Sequence, residues 1–419
     1  MPPATTMCTS RREFLERLGL LGAGGLITAA YTATARGYAA NETIEVGVIG
    51  CGGRAQHLLR YLLELPGVRL AAVADVWDKH LDDGRRLADP RALVTRHANE
   101  LLDRRDLDAV LIATPDHWHV PMTVAACEAG KDVYVEKPLT HNLAEGAAVI
   151  DAQNRHQRIV QVGMQQRSMP HLQEARELVR SGQLGRVHKV RMSWNRNADR
   201  LRRGSLGIDP ASVDWAAFVG AAREQPFDEY RFRNWRWFWD FGGGILTDLM
   251  THFIDVANWY LDLAEPATAV TVGDFYTAAD LWETPDTIQT LLDYPDEQVQ
   301  LHFEGTFVNA RDAARLELLG SEASLYVDRG RYELHPEPRS QVASRELVLG
   351  EGPRGRDFYM NPPGETLHLA NWLESIRTRE KPNAPAEAGV TAVLGPHLGN
   401  LAYRRGARVS WGDAVAQQP

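Results

Sequence analysis

The stretch EVGVIGCGGRA, residues 45–55, decides the fold of this chain of 419 residues. Its apolar half predicts a short buried strand, and its glycine-rich half predicts a tight loop. Leucines with helical spacing follow from Leu58 to Leu63, and a second apolar run, residues 68–74, ends at Asp75. Strand, glycine loop, helix, strand and terminal acid follow one another here as they do in a dinucleotide-binding site. The sequence therefore predicts an N-terminal Rossmann domain.

Three small residues in this stretch have distinct roles in the predicted site. Gly50 permits the tight turn, Gly52 lets the backbone approach a pyrophosphate, and Ala55 allows the helix to pack closely on the strand. The helix that begins here offers free backbone N–H groups to the phosphates. The alternative interpretation is a Rossmann-like domain whose glycine loop holds no nucleotide.

The acid at the end of the second strand indicates which cofactor is bound. Asp75 is placed to accept hydrogen bonds from a ribose diol, and its charge would repel a 2′-phosphate. Lys79 and Arg85 follow closely in the sequence and would weaken that repulsion. We therefore expect NAD as the cofactor, with NADP as the alternative.

Polar stretches follow the next strands predicted in this domain. Apolar runs at residues 107–114, 132–135 and 159–162 predict three further strands. The stretches that follow them are TPDHWH at 114–119, EKP at 136–138 and GMQQR at 163–167. In doubly wound sheets the ligand lies beyond the carboxyl ends of the strands, so we expect these three stretches to meet at the cofactor.

Composition excludes several classes of function. The formal charge of -9 argues against a nucleic-acid or anionic-membrane partner. Of three cysteines, Cys8 lies near the N-terminus, which leaves only Cys51 and Cys127 for the rest of the chain. We therefore expect no disulfide framework and no metal site built on thiolates. The length predicts two domains.

The N-terminal segment has the features of an export leader. Arg11 and Arg12 precede a glycine-rich apolar run that is too short to span a bilayer comfortably. The segment resembles a twin-arginine signal, with cleavage expected between residues 36 and 41, whereas the alternative is an ordinary N-terminal tail with a chance arginine pair. The twin-arginine route exports folded proteins, so we expect residues 1–40 to be a signal peptide, with cofactor loading before export to the periplasm or the medium.

A helical segment in the second half of the chain carries a polar stripe. In DFGGGILTDLMTHFIDVANWYL, residues 240–261, the spacing places Asp248, His252, Asp255 and Trp259 on one helix face. The rest of the surface is largely apolar, which indicates a buried helix whose polar groups need partners. One interpretation is simple packing between Asp248 and His252. Another is a zinc site, for which no third ligand with convincing spacing follows.

The glycine loop, Thr114-Pro115, Glu136-Lys137-Pro138 and the helix at 242–260 together resemble the glucose-fructose oxidoreductase, inositol dehydrogenase and MocA family (Gfo/Idh/MocA). The resemblance covers nearly all of the chain after the leader. It implies an α/β protein with an N-terminal Rossmann domain, residues 41–163, and a C-terminal α+β domain, residues 164–419, with an open, mainly antiparallel sheet. Its terminal helices are expected to return to the Rossmann domain.

The pattern of the second domain agrees with that expectation. Alternating apolar residues predict antiparallel strands at residues 267–276, 287–294, 298–307 and 316–327. Two late helices are predicted near residues 366–379 and 386–404. One face of such a sheet would be free for association, and we expect a homodimer or a homotetramer.

The resemblance also implies the residues of the site. Around the nicotinamide cofactor it places Gly53, Arg54, Asp75, Thr114, Pro115, Trp118, His119, Glu136, Lys137 and Gln165. It sets the pair Asp248 and His252 opposite Lys137, which favours catalysis over simple packing. With an ordinary pKa near 6.5, His252 is expected to be the general base of a hydride transfer. Lys137 would stabilise the alkoxide and share proton transfer, and Asp248 would orient His252 or bind a hydroxyl.

An aromatic segment, YRFRNWRWFWDF at residues 230–241, has two interpretations. It could form a subunit interface, where Trp, Tyr and Arg are enriched. It could equally provide aromatic platforms for sugar rings. Trp235 and Arg236 are predicted substrate contacts because they lie nearest to the interdomain cleft in sequence order.

Taken together, these features predict an exported NAD(P)-dependent oxidoreductase that acts on a sugar, polyol or glycoside hydroxyl. The cofactor is expected to be tightly bound and recycled. The alternative is an NAD-dependent glycoside hydrolase or lyase that oxidises a sugar carbon transiently and eliminates the aglycone. Related hydrolases carry a different histidine-glycine segment where this chain has Asp248 to Asp255. A third interpretation is a non-catalytic sugar-binding protein. In each case we expect a small-molecule ligand, no nucleic acid and no stable membrane anchor.

Overall fold

A computed structural model describes residues 7–9, 43–197, 201, 203–356 and 364–416 of the chain. Residues 7–9 form a short strand, β1 Met7–Thr9. The remainder of the predicted signal peptide, with its arginine pair and cleavage region, lies outside the described residues. In the described residues, no helix is long and apolar enough to cross a membrane.

The first sheet is built from short apolar strands joined by helices. Its strands are β2 Ile44–Ile49, β3 Val68–Ala74, β4 Leu93–Thr95, β5 Ala109–Ile112, β6 Asp132–Val135 and β7 Val160–Val162. They pair in parallel in the order β4-β3-β2-β5-β6-β7. The helices between them are α1 Gly53–Leu62, α2 Asp78–Arg85, α3 Ala98–Leu102, α4 His119–Glu128 and α5 Gly146–His156. Strands β5 and β6 are fully buried, as expected for parallel strands with helices on both faces.

The second sheet has ten strands and follows the alternating patterns in the sequence. Its further strands are β8 Val187–Asn195, β9 Thr268–Asp274, β10 Thr287–Tyr294, β11 Val299–Thr306, β12 Ala314–Gly320, β13 Ala323–Val327, β14 Arg331–Pro336, β15 Arg345–Val348 and β16 Val409–Ser410. The order is β1-β15-β14-β13-β12-β8-β11-β10-β9-β16. Of the strand pairs in the described residues, only β1–β15 and β8–β11 are parallel. The predicted fold class, a Rossmann domain plus a domain with a mainly antiparallel sheet, is confirmed.

One predicted strand is in fact two. The stretch 316–327 was expected to be continuous, but β12 and β13 form an antiparallel pair with a turn at Ser321 and Glu322. The apolar alternation runs through this tight turn, so periodicity alone does not reveal it.

The remaining helices follow the first sheet in the chain. They are α6 Pro170–Arg180, α7 Trp215–Val219, α8 Glu229–Arg233, α9 Thr251–Leu261, α10 Gly364–Thr378, α11 Ala386–Arg405 and α12 Trp411–Val415. Helix α11 packs against α9 and β9. In α10, Leu369, Trp372 and Leu373 share one apolar core with Leu58 and Leu59 of α1. Residues from the C-terminal end of the chain thus complete the Rossmann domain.

Candidate functional site

A cleft of about 560 Å³ lies at the carboxyl edge of the first sheet, between the two domains. Predicted cofactor residues line it: Gly50, Gly52, Gly53, Arg54, Asp75, Thr114, Pro115 and Trp118. The second domain contributes Ala217, Phe218, Phe232, Arg233, Asn234, Trp235 and Arg236 to the opposite wall. The strands β3 and β5 flank β2 at this edge, so the chain winds away in both directions there, as it does at the ligand sites of doubly wound sheets.

The glycine loop has the backbone geometry that the sequence predicts. Gly50 has a φ of +85°, and a Cβ atom there would lie 2.8 Å from the carbonyl oxygen of Ala113. Helix α1 begins at Gly53 without a side-chain cap, so its first N–H groups are available to a phosphate. Ala55 is fully buried where α1 meets the sheet. This arrangement fits the pyrophosphate of a dinucleotide.

Asp75 holds the loop as well as lining the cleft. One carboxylate oxygen accepts a hydrogen bond of 2.6 Å from the backbone N–H of Cys51, and the other accepts one of 2.9 Å from Trp77. The two cations expected to weaken its charge are engaged along α2, because Lys79 pairs with Asp83 and Arg85 pairs with Asp82.

Loop contacts join the two domains beside Val76, which lines the cleft. The backbones of Trp77 and Val213 form an antiparallel bridge, and the N–H of Asp214 donates to the carbonyl of Val76 at 2.8 Å. The indole N–H of Trp77 donates to the Ser212 hydroxyl at 3.2 Å. We call these contacts between residues 76–77 and 212–214 the clasp.

Two neighbours in the TPDHWH stretch have different positions. Trp118 lines the cleft and donates its indole N–H to the carbonyl of Phe218 at 2.9 Å. His119 was expected beside the cofactor, but it is 1% exposed, with Nδ1 2.6 Å from the Pro138 carbonyl oxygen and Nε2 3.0 Å from that of Thr114. It therefore ties the loop after β5 to the loop after β6, and burial lowers its pKa.

Acidic groups from distant parts of the chain converge on Arg54. Its Nε donates to Glu136 at 2.7 Å and its Nη1 to Glu365, in α10, at 3.3 Å. Gln165 is buried and donates to the same Glu365 oxygen at 3.4 Å. Although burial raises the pKa of Glu365, a hydrogen bond from His57 and the charge of Arg54 lower it to about 2. Sequence reasoning missed Glu365, because nothing in its local pattern distinguishes it from other helix residues.

The structure brings together Lys137 and Asp248. The Lys137 ammonium donates to the Asp248 backbone carbonyl at 2.6 Å and to its carboxylate at 3.0 Å. Arg236 donates to the same carboxylate oxygen at 3.2 Å. Asp248 lies in a single π-helical segment, Leu246–Met250, immediately before α9. Such segments often occur at functional sites, and this one changes the direction of Asp248 relative to the residues of α9.

His252 lies among cations. Its ring stacks on Trp194 with centroids 5.0 Å apart, and its Nδ1 faces the Nη2 of Arg329 at 3.5 Å. Burial, with the charges of Lys137 and Arg329, lowers the pKa of His252 well below its usual 6.5. Because a guanidinium can only donate, Nδ1 is the unprotonated nitrogen and the neutral ring carries its proton on Nε2.

The predicted polar stripe divides into two groups. Asp255 is 1% exposed and binds Arg167 through three hydrogen bonds of 2.8 to 3.0 Å. The Arg167 guanidinium also lies 5.4 Å from the centre of a ring of Trp259. Asp255 and Trp259 therefore anchor α9 to the segment after β7, whereas Asp248 and His252 face Lys137 and Arg329.

A further acid lies near the reacting groups. Asp116 is 3% exposed, and burial raises its pKa well above the usual value, although Arg236 and Lys137 counteract the shift. The sequence around Asp116 predicts only a polar loop. Among the described residues, no three His, Cys, Asp or Glu side chains are grouped so as to hold a metal ion.

Several aromatic side chains of segment 230–241 lie in the hydrophobic core of the second domain. Trp237 is buried and stacks on Trp282 with centroids 4.3 Å apart. Phe232 and Phe238 belong to the same core. Trp235 and Arg236 do line the cleft, with the guanidinium 4.1 Å from the centre of the indole ring.

Comparison with known proteins agrees with this architecture. Residues 44–164 match the model of the oxidoreductase family with an NAD-binding Rossmann fold, and residues 172–326 match that of the GFO/IDH/MocA C-terminal domain. Together the two matches cover well over half of the chain. Both belong to one family and follow one another in the order that the sequence predicts.

Two individual relatives match only part of this chain. Inositol 2-dehydrogenase 2 of Saccharopolyspora erythraea is 34% identical over 42% of this chain and 50% of its own length. A glycosyl hydrolase family 109 protein of Solibacter usitatus is 35% identical over 36% of this chain and 37% of its own. These alignments span half or less of each relative.

Solved structures share the fold. Levoglucosan dehydrogenase, in a complex with NADH and levoglucosan, superposes with a TM-score of 0.66 at 19% identity, covering 88% of this chain and 99% of the other. The expected cofactor and enzyme class are confirmed. The chain belongs to the Gfo/Idh/MocA family and is an NAD-binding oxidoreductase.

Proposed function

We propose that this protein oxidises a hydroxyl group of a sugar, polyol or glycoside by hydride transfer to NAD. The observation that carries the proposal is the Lys137–Asp248 pair, 3.0 Å apart, next to residues that line the cofactor cleft. Inositol and levoglucosan dehydrogenases among its relatives support this class of substrate.

Bound NAD would supply a hydride acceptor at its nicotinamide ring. The chain must then remove the hydroxyl proton as the hydride leaves the same carbon. In our proposal, the Lys137 ammonium first releases a proton to solvent, and the amine so formed takes the hydroxyl proton. The Asp248 carboxylate holds the ammonium that is formed again. The substrate loses one proton and one hydride and becomes the ketone or aldehyde.

We assign His252 a different role from the base first expected. Its lowered pKa makes it a weak proton acceptor, and its Nδ1 faces Arg329. The neutral ring can donate from Nε2 to a substrate oxygen and so orient the hydroxyl. Arg236 and Trp235 are proposed to contact the rest of the substrate, with the indole under an apolar sugar face and the guanidinium on a hydroxyl.

The direct test is NADH formation with a panel of free sugars and polyols that includes inositol and levoglucosan. Wild-type protein should produce NADH with at least one member, and Lys137→Ala protein should not. Activity of the variant equal to wild type would contradict the assignment.

We also propose that the cofactor is retained and loaded before export by the twin-arginine route to the periplasm or the medium. The clasp supports retention, because its contacts join the two domains that form the walls of the cleft. The Arg11-Arg12 pair supports export. Native protein should release stoichiometric NAD on denaturation, as identified by mass spectrometry, and fusion of residues 1–40 to a folded reporter should export it only when both arginines are present.

A second candidate function is glycoside cleavage through transient oxidation. The similarity to a glycosyl hydrolase family 109 protein favours it, as does Asp116, a buried carboxyl whose raised pKa suits proton transfer. Aryl glycosides separate the two functions: aglycone release without net NADH supports cleavage, whereas net NADH from free sugars supports the dehydrogenase.

For the assembly, we propose a homodimer or homotetramer formed through the outer face of the second sheet. Val272 is 72% exposed there and Leu291 is 53% exposed. Contiguous apolar side chains on an open sheet suit burial against a second copy. Val272→Lys should shift the mass measured by light scattering towards the monomer.

A further inference from the structure

Glu365 brings the C-terminal part of the chain to the cofactor cleft. It lies in the first turn of α10 and is 7% exposed. Its Oε1 accepts hydrogen bonds from Nη1 of Arg54 at 3.3 Å and from Nε2 of Gln165 at 3.4 Å. Arg54 lines the cleft, and Gln165 follows the last strand of the first sheet. One carboxylate therefore holds two residues that the family resemblance places at the cofactor.

The start of α10 is fixed against the turn that follows β7. Three residues after Glu365, the Nε2–H of His368 donates to the Val162 carbonyl at 2.9 Å. Because a carbonyl can only accept, the other ring nitrogen, Nδ1, accepts from the Ser168 hydroxyl at 2.7 Å. These two contacts hold the first turns of α10, and with them the Glu365 carboxylate, at the carboxyl end of β7.

The contact with Glu365 also fixes the direction of the Gln165 amide. A carboxylate can only accept, so the NH₂ group of Gln165 faces Glu365 and its Oε1 faces away. That oxygen is buried, and within the described part of the chain it has no hydrogen-bond partner. Buried polar groups are normally paired, so this acceptor needs a donor. The carboxamide N–H of a nicotinamide ring is a donor that the bound cofactor would supply.

The charge of Glu365 lies close to the reacting groups. Arg54 joins it to Glu136 through a second ion pair of 2.7 Å, and Glu136 accepts from the backbone N–H of Lys137 at 3.2 Å. Burial raises the pKa of Glu365, but a hydrogen bond from His57 and the charge of Arg54 lower it to about 2, so the group is ionised at neutral pH. Hydride transfer beside Lys137 would bring the nicotinamide ring within range of this charge.

The two forms of the cofactor differ in charge at this ring. The nicotinamide of NAD is a cation, whereas that of NADH is neutral. A nearby carboxylate therefore stabilises bound NAD relative to bound NADH, and a nearby guanidinium has the opposite effect. Substitutions of Glu365 and Arg54 should thus change the ratio of the two affinities in opposite directions.

We propose that Glu365 is a positioning residue of the cofactor site, which orients Arg54 and Gln165 and whose charge favours NAD over NADH. Such a charge makes bound NADH a stronger hydride donor. The inference rests on the proposed hydride transfer beside Lys137 but not on the identity of the sugar substrate. It assigns a role at the nicotinamide end to a residue that lies 311 positions after Arg54.

The test measures dissociation constants for NAD and NADH by calorimetry, on protein freed of nucleotide. Glu365→Gln removes the charge and keeps the size of the side chain, and it should weaken NAD relative to NADH by at least about fivefold. Glu365→Asp keeps the charge and should leave the ratio of the two constants within about twofold of wild type. Glu374→Gln removes a carboxylate roughly 14 Å further along α10, where salt screens its charge, and is the matched control.

Arg54→Gln tests the sign of the effect. It removes a cation from the same group of charges and should strengthen NAD relative to NADH, even where the affinity for both forms falls. Thermal melting shows whether each variant is folded. If Glu365→Gln does not fold, Arg54→Gln still decides, because a ratio that stays unchanged or moves towards NADH overturns the electrostatic role.

A folded Glu365→Gln protein that loses affinity for NAD and NADH equally also overturns the proposal, because a purely structural contact would weaken both forms alike. These results are distinct from a failure of the proposed function. If wild-type protein binds both forms but oxidises no sugar or polyol, the substrate proposal fails, whereas the binding ratios still decide the role of Glu365.

Discussion

The pyrophosphate end of the cofactor site presents backbone atoms to its ligand, whereas the substrate half presents side chains. The glycine loop and the start of α1 offer N–H groups, and Asp75 holds that loop from within 24 residues of Cys51. Lys137 and Asp248 are 111 residues apart and meet only through tertiary packing. Substitutions that change the conformation of the glycine loop should therefore weaken cofactor binding. Substitutions of Lys137 or Asp248 should lower the catalytic rate and leave cofactor affinity nearly unchanged.

The largest expected effect tests this separation on the substrate side. Lys137→Ala removes the proposed proton acceptor and should lower kcat by about 10³ or more, because a positioned acid or base contributes about 10² to 10⁴ in rate. The dissociation constant for NAD should change by less than about threefold if Lys137 acts chiefly on the substrate. Single-turnover NADH formation and calorimetry measure the two quantities. Lys79→Ala, at a lysine on α2, serves as the control, and a large loss of NAD affinity in Lys137→Ala would break the comparison.

The next effect concerns His252. His252→Phe removes the Nε2 donor and should lower kcat by roughly 10-fold to 100-fold, whereas His252→Gln keeps a donor and should retain more activity. Since burial and neighbouring cations lower the pKa of His252, it stays neutral as pH falls through 6.5. The pH profile of kcat should then show no acidic limb near 6.5 that depends on this residue. Such a limb, present in wild type and absent in His252→Gln, would restore His252 as the base.

A smaller effect is expected from the backbone of the cofactor half. Gly50→Ala places a Cβ 2.8 Å from a carbonyl oxygen at a positive φ, which should cost about 1–3 kcal/mol of stability and weaken NAD binding about tenfold. Gly53→Ala is the matched control, because its Cβ would meet no atom of the described structure within 4 Å. Denaturant unfolding without nucleotide should distinguish them. Equal stability of the two variants would remove the steric argument.

The last effect develops only as pH falls, and it is expected in both domains. Burial lowers the pKa of His171, in the second domain, and of His368, in the Rossmann core, to about 4 in each case. Between about pH 6.5 and about pH 4, the two histidines are protonated in the unfolded chain but neutral in the folded one. The free energy of unfolding should therefore fall as pH decreases from about 6.5 towards 4, by at most roughly 3 kcal/mol per histidine. His171→Gln should flatten this dependence in urea unfolding, and exposed His188→Gln should not. An unchanged slope in His171→Gln would indicate that this ring is protonated in the fold.

The sequence was informative where geometry is local. Strand, loop, helix and acid within 31 residues predicted the Rossmann domain and NAD, and both predictions are confirmed. The polar stripe predicted from Asp248 to Trp259 was a less reliable guide, because that prediction assumed one regular helix. The π-helical segment at Leu246–Met250 adds an irregularity that residue spacing does not reveal.

Other features depend on groups that only folding brings together. The lowered pKa of His252 comes from burial and from Lys137 and Arg329, which lie 115 positions before it and 77 after it. Likewise, Glu365 reaches Arg54 across 311 residues. A single sequence contains no signal for such pairs, whereas the packing of α10 against α1 explains the second one directly.

The clasp has a kinetic consequence. Because its contacts join two domains, release of the dinucleotide should require them to separate first, so the residence time would be limited by the opening rate rather than by the strength of the cofactor contacts. Weakening the clasp, for example by Trp77→Phe with loss of the hydrogen bond to Ser212, would then accelerate both the binding and the release of the dinucleotide. Affinity could stay nearly constant while exchange becomes fast, which would turn a permanently loaded enzyme into one that draws on a shared pool of NAD.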